Sequence, residues 1–189
     1  MDDLIEKIIS ERNRIAEEFF NKKKILLYDV GEKISQSLKN GKKILIFGNG
    51  GSAADSQHFA AELVNKFKKK RRAIPSIALT TDTSILTSVG NDSSFEEIFS
   101  RQIEALGEKE DWAIGISTSG ISSNIIRGLE KARELGLHSL ALTGEGGGKL
   151  KSISEYLIDV PSRETPRIQE FHILILHIIA EIIENELSP

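Results

Sequence analysis

An apolar run, Ile44-Leu45-Ile46-Phe47, ends at Gly48-Asn49-Gly50-Gly51, and a helical pattern begins at once with Ser52-Ala53-Ala54-Asp55. A short strand, a turn with three glycines in four residues and a helix start leave the chain few ways to fold. The glycines let the backbone turn tightly and come close to a ligand. Ser52 is placed to cap the helix, with Asp55 three residues on completing a capping-box pattern. Free N–H groups and the positive end of the helix dipole then point at one spot, which makes it an anion site. Farther in, His58 and Glu62 stand four residues apart and share a helix face. A phosphate cradle beside an imidazole and a carboxylate points to chemistry on a phosphorylated small molecule.

The rest of the chain repeats the strand-then-helix order. The pattern predicts strands near 43–47, 75–79, 112–116, 138–142 and 156–160, and helices near 52–67, 95–106, 122–135 and 164–187. Strands that are apolar throughout and alternate with helices argue for a parallel sheet covered on both faces, an α/β three-layer fold. Gly136 suits the C-terminal cap of the third of these helices. Before the sheet, residues 3–40 read as helical, with Leu4, Ile8, Ile15 and Phe19 at helical spacing and a break expected near Lys22–Lys24 or Asp29–Gly31. The division is therefore a single domain, with a helical segment over 1–41, a sheet core over 42–160 and a C-terminal helix over 161–189. That last helix is apolar around much of its circumference, through Phe171, Leu174, Ile175, Ile178, Ile179, Ile182 and Ile183. Such a helix must be buried widely, against the first helix and against other subunits.

Composition removes several classes of function. With 0 Cys there are no disulfides and no thiolate metal sites. A net charge of −3 supplies no global field for nucleic acid, so no nucleic-acid partner is expected. The start, Met1-Asp2-Asp3-Leu4, lacks the basic-then-apolar plan of a signal peptide. The longest apolar run, near Ile173–Ala180, is too short to span a bilayer. The expected location is the cytoplasm, with no membrane partner.

Other loops add to the phosphate reading. Ile114-Gly115-Ile116 runs into Ser117-Thr118-Ser119-Gly120, and Ser122-Ser123 opens a helix. These hydroxyls cluster at the carboxyl end of a strand, where open α/β sheets bind ligands. Gly48-x-Gly50-x-x-Ala53 also matches the dinucleotide fingerprint in form, but the acid expected about 20 residues on is absent. Lys68-Lys69-Lys70-Arg71-Arg72 stands there instead, so no nucleotide cofactor is expected. That basic stretch reads as a solvated helix end and loop. Ser88-Val89-Gly90-Asn91-Asp92 reads as a turn offering an amide and a carboxylate. On the last helix, Arg167 and Glu170 read as a surface pair, and Gln169, His172 and His177 as either core residues or ligands.

Together these segments carry a family signal. From about Lys42 to Leu187 the chain resembles the sugar-isomerase (SIS) superfamily, and within it the phosphoheptose isomerases. The matching stretches are Gly48–Glu62, Val89–Asp92, Gly115–Ser122 and Arg167–His177, with Leu142-Thr143-Gly144 and Gly147-Gly148-Lys149 between them. The resemblance implies a five-stranded parallel sheet flanked by helices, assembled as a homotetramer. It implies conversion of sedoheptulose 7-phosphate to D-glycero-D-manno-heptose 7-phosphate, for bacterial surface polysaccharide. Asn49, Gly50, Gly51 and Ser52 match a first substrate loop, Asn91 and Asp92 a second contact, and Ser117, Thr118, Ser119 and Ser122 a phosphate loop. Gln169 matches a glutamine on the substrate and metal side. Glu62 and His177 match the acid/base pair, Glu62 as base and His177 as acid. His58, Glu62, Gln169 and His177 match a set that binds one zinc per subunit. Two positions depart from the family pattern: Lys66, where many members have arginine, and Pro166, where some have aspartate.

A second branch of the superfamily supplies the alternative, a non-catalytic module that binds a replication initiator or senses a sugar phosphate. Its initiator-associating members share the glycine loop and the Arg-Ile-Gln of the last helix. They lack residues like Glu62 and His177. Spacing adds one expectation. Gln169 and His177 are eight residues apart, about 12 Å along a helix, so one metal would strain to reach both from one helix. That points to a site completed across a subunit interface, with Gln169 or His177 from a neighbour, or to His172 as a same-chain ligand.

Overall fold

The computed structural model describes residues 2–188. Five strands, β1 (Ile44–Gly48), β2 (Ser76–Ala78), β3 (Trp112–Ser117), β4 (His138–Thr143) and β5 (Tyr156–Asp159), form one sheet in the order β2-β1-β3-β4-β5. Every adjacent pair is parallel. Among the described residues six α-helices accompany it: α1 (Asp2–Lys39), α2 (Gly51–Val64), α3 (Thr83–Asp92), α4 (Ser100–Leu106), α5 (Ser123–Glu134) and α6 (Thr165–Leu187).

Strand side chains alternate between the two faces, and each face has its own core. Ile44, Ile46, Trp112, Ile114 and Ile116 pack with α1, α2 and α6; Leu45, Phe47 and Ala113 pack with α4 and α5. Burial on both faces explains why β1, and β3 as far as Ile116, are apolar. Gly136, at φ 76°, ends α5 as expected; its N–H and that of Leu137 return to the carbonyls of Arg133 and Ala132.

Three readings are corrected. Residues 3–40 contain no break, because α1 runs continuously through Gly31. Gly31 is a packing point, since a Cβ there would lie 2.8 Å from Cγ2 of Ile182 on α6. The first apolar residues of α1, Leu4, Ile5, Ile8 and Ile9, are exposed, whereas Ile15 and Phe19 are buried. The Ser88–Asp92 stretch is the second half of α3, not a turn. Asp82 starts that helix by accepting the Ile85 N–H at 2.9 Å. Finally, Ser52 and Asp55 do not form a capping box. The helix begins one residue earlier, with Gly50 at φ 55° as its N-cap and no side-chain cap. Asp55 is left with a buried, unpartnered Oδ2, and burial raises its carboxyl above the usual value.

Candidate active site

The order of strands reverses direction between β1 and β3, and their carboxyl ends flank the crevice where such sheets take ligands. Gly48–Gly51 leaves β1 there, and Ser117–Ser122 leaves β3 there. The two loops are tied by a reciprocal amide pair. Asn49 Nδ2 donates to Asn124 Oδ1 at 2.9 Å, and Asn124 Nδ2 donates to Asn49 Oδ1 at 2.8 Å. Asn124 is a residue the sequence reading missed; its signal was an amide in the first turn of the helix after the serine loop.

Within the serine loop the hydroxyls face one another. Ser117 Oγ lies 3.0 Å from Ser122 Oγ and 3.4 Å from Ser119 Oγ, and it accepts the Gly120 N–H at 3.2 Å. Ser122 is the N-cap residue of α5, yet its side chain makes no cap bond. The first N–H groups of α5 thus keep their capacity for an anion. Thr118 accepts the Gly144 N–H through its carbonyl at 3.0 Å, which joins the serine loop to the turn after β4. Ser52 is only 3% exposed and packs on Gly48, so little of its hydroxyl is presented.

The reactive groups meet at the seam between α2 and α6. His58 and Glu62 come from successive turns of α2, and His177 comes from α6. His58 Nε2 lies 3.1 Å from Glu62 Oε1 and 3.1 Å from His177 Nε2. One donor atom from each of the three residues falls within 4.8 Å of the others. Burial first, and His58 second, hold the His177 imidazole below its usual pKa, against the pull of Glu62. The Phe67 ring lies 5.3 Å from the His177 ring at 33°.

α2 and α6 run side by side in the same direction: Gly51 meets Gln169, and seven residues farther along α2, eight along α6, His58 meets His177. A Cβ on Gly51 would lie 2.5 Å from Gln169 Nε2, so glycine is what lets Gln169 sit against the first loop. Gln169 borders the glycine loop and lies eight residues before His177, about 12 Å along α6 from the His58–Glu62–His177 group. His177, by contrast, reaches that group from the same chain. His172 is no alternative ligand, because it is fully buried and its Nε2–H donates to the Thr143 carbonyl at 3.1 Å. Burial lowers its pKa to about 4. Asn91 and Asp92 bond to each other, and Asp92 lines a separate cavity with Arg101, Glu104 and Lys131.

Two basic residues also differ from expectation. The Arg71 side chain is 1% exposed and pairs with Glu184 at 3.0 Å, so the Lys66–Arg72 stretch is not solvated throughout. Arg167 bonds Glu170, but it is largely buried, with Nε unpartnered.

Comparison with known proteins places this arrangement. The SIS domain family matches residues 9–144. The chain is 53% identical over 185 residues to a phosphoheptose isomerase of Aquifex aeolicus, covering 98% of this chain and 97% of that one. The chain belongs to the phosphoheptose isomerases of the SIS domain family. Solved structures of phosphoheptose isomerases agree over the whole fold. The one from Neisseria gonorrhoeae is 41% identical with a TM-score of 0.92, covering 97% of this chain and 98% of that one. The one from Francisella tularensis is 36% identical with a TM-score of 0.93, covering 97% of each chain. The SIS match stops before α6, so His177 and Gln169 lie on the part of the chain that only the full-length relatives cover.

Proposed function

We propose that this chain isomerises sedoheptulose 7-phosphate to D-glycero-D-manno-heptose 7-phosphate, with Glu62 and His177 moving the protons. The observation that carries the reading is the meeting of His58, Glu62 and His177 at one point on the α2–α6 seam. That triplet also favours the enzyme over the initiator-binding module. Family membership supports the same conclusion.

The reaction takes a proton from C1 of the ketose and delivers one to C2, through an enediol. A second proton passes from the C1 oxygen to the C2 oxygen, so the net proton count is zero. Glu62 is the carboxylate that takes the C1 proton and returns it to C2. His177 has an N–H to give to the C2 oxygen and takes the proton released by the C1 oxygen. The phosphate belongs at the uncapped start of α5, among Ser117, Thr118, Ser119 and Ser122, with Asn49, Gly50, Gly51 and Ser52 opposite. Gripping the phosphate far from the reacting carbons spends binding energy on orientation. Gln169 borders the glycine loop and suits a sugar hydroxyl.

His58, Glu62 and His177 suit zinc. Two imidazole nitrogens and a carboxylate oxygen are its usual donors. Ligands about 2.0–2.1 Å from a tetrahedral ion lie roughly 3.3 Å apart, close to the 3.1 Å separations here. Three protein ligands also leave a position open, the pattern of catalytic sites. Bound there, zinc would polarise the carbonyl oxygen.

Two further readings belong to this proposal. Assembly as a homotetramer would cover the exposed start of α1, and a neighbour would bring its Gln169 to the metal group and its Asn91 or Asp92 to the substrate. No helix among the described residues is long and apolar enough to cross a membrane; a cytoplasmic location fits the substrate.

Glu62→Gln tests the core of the reading. The variant should bind sedoheptulose 7-phosphate but not turn it over in a coupled assay. Full activity would remove Glu62 from the mechanism.

A further inference from the structure

Glu184, near the end of α6, and Arg71, in the segment between α2 and β2, form an ion pair whose side chains are 2% and 1% exposed. Burying two charges is costly before their attraction is counted, and apolar residues often hold a core as well. Stability alone is thus a weak reason for such a pair.

Its hydrogen bonds show what it holds. Arg71 Nη2 donates to the Glu62 carbonyl at 2.8 Å, and Nη1 to the Leu63 carbonyl at 2.8 Å. α2 ends at Val64, so these carbonyls belong to its last turn, which lacks intrahelical donors. The guanidinium supplies them from outside the helix. Glu184 works on the segment that follows. Its carboxylate accepts the N–H groups of Phe67 at 3.1 Å, Lys68 at 2.8 Å and Lys69 at 2.8 Å. That fastens the backbone under the Phe67 ring, which lies against His177.

The pair therefore touches both halves of the proton-transfer apparatus. Arg71 holds the backbone of Glu62 itself. Glu184 holds the ring that walls His177, from the same helix and two turns along. We propose that Arg71 and Glu184 are positioning residues for the isomerisation, setting the separation and orientation of the Glu62 carboxylate and the His177 imidazole by locking the end of α2 to α6. The inference rests on the roles of Glu62 and His177 proposed above. Its scale follows from the sensitivity of proton transfer to geometry, since a displacement of about 1 Å can cost about a hundredfold in rate.

A merely structural pair would behave differently, and the fold contains one for comparison. Asp111 has a side chain 1% exposed, pairs with Lys43 Nζ at 2.7 Å, and accepts the N–H groups of Lys43 and Glu108 at 2.9 Å each. It sits at the start of β3, the end of the sheet away from the loops. Glu184→Gln and Asp111→Asn are thus the same chemical lesion at two places.

The experiment measures kcat and KM for sedoheptulose 7-phosphate, with Tm, for Glu184→Gln, Arg71→Lys, Asp111→Asn and Glu62→Gln. Glu184→Gln and Arg71→Lys should lower kcat by roughly ten- to a hundredfold, with KM held within about twofold because the phosphate loops are untouched. Asp111→Asn should lower Tm comparably and leave kcat unchanged. Phe67→Leu keeps the ion pair, removes the ring beside His177, and serves if the charge variants do not fold; it too should lower kcat and spare KM. Folded variants of Arg71, Glu184 or Phe67 with wild-type kcat would overturn the inference. A Glu62→Gln enzyme with full turnover would instead overturn the reading of the site beneath it.

Discussion

The amide pair between Asn49 and Asn124 can be cut from either side, and the cost can be worked out in advance. Asn124→Ala removes two hydrogen bonds of 2.8 and 2.9 Å. Each neutral bond contributes about 1 kcal/mol net. The Asn49 amide then loses its partner, but it is only half-buried, so water can reach it and the added penalty stays near the low end of about 1–3 kcal/mol. The total is about 2–3 kcal/mol, which for a domain of this size lowers Tm by roughly 4–12 °C. Asn49→Ala should cost a similar amount. The double variant should cost less than the sum, because the second truncation finds no bond left to break. The coupling should be about 2 kcal/mol. Urea or thermal unfolding of the four proteins at equal concentration measures it, and steady-state kinetics should show KM rising more than kcat falls as the loops lose their register. Non-interacting sites add to within about 0.3–0.5 kcal/mol. A coupling that small would refute the argument that this pair is what ties the two loops together.

Acid should weaken the fold through His172. Its folded pKa is about 4 against an ordinary 6.5, so between those values the unfolded chain binds more protons and stability falls as pH drops. The loss reaches up to about 3 kcal/mol; replacing His172 with Gln should flatten the stability–pH curve in that window, and an unchanged difference between the two proteins would count against it. For the metal, elemental analysis should find about one zinc per chain in protein purified without chelator, and much less in His58→Ala. Full zinc content in that variant would place the metal elsewhere.

Much of this molecule is written in local pattern. Ile44–Phe47 and Trp112–Ile116 are apolar on both faces because helices cover both, and that needs no knowledge of distant residues. His58 and Glu62 share a face through helix periodicity alone. Where local signals mislead, the cause is also visible. α3 is rich in Thr, Ser, Gly, Asn and Asp and buries no residue, so it looks like a turn; the capping Asp82 and the spacing of Ile85, Leu86 and Val89 were the usable signs. Arg71 stands in a run of basic residues, and nothing in that run distinguishes the one side chain that turns inward to Glu184.

The sequence by itself determined the strand-loop-helix order, the glycine and serine loops at the carboxyl ends of their strands, and the identity of the reactive side chains. All of these depend on neighbours a few residues away. Tertiary structure decided which of those side chains meet. His177 joins His58 and Glu62, and Gln169 instead meets Gly51, because α6 docks on α2 in one register. That register follows from α6 packing into one apolar core with α1 and α2, through Phe171, Ile175, Ile179 and Ile183, together with the Glu184 clamp. Shape complementarity across residues more than a hundred positions apart leaves no periodic trace in the chain, and so could be read only from the packed molecule.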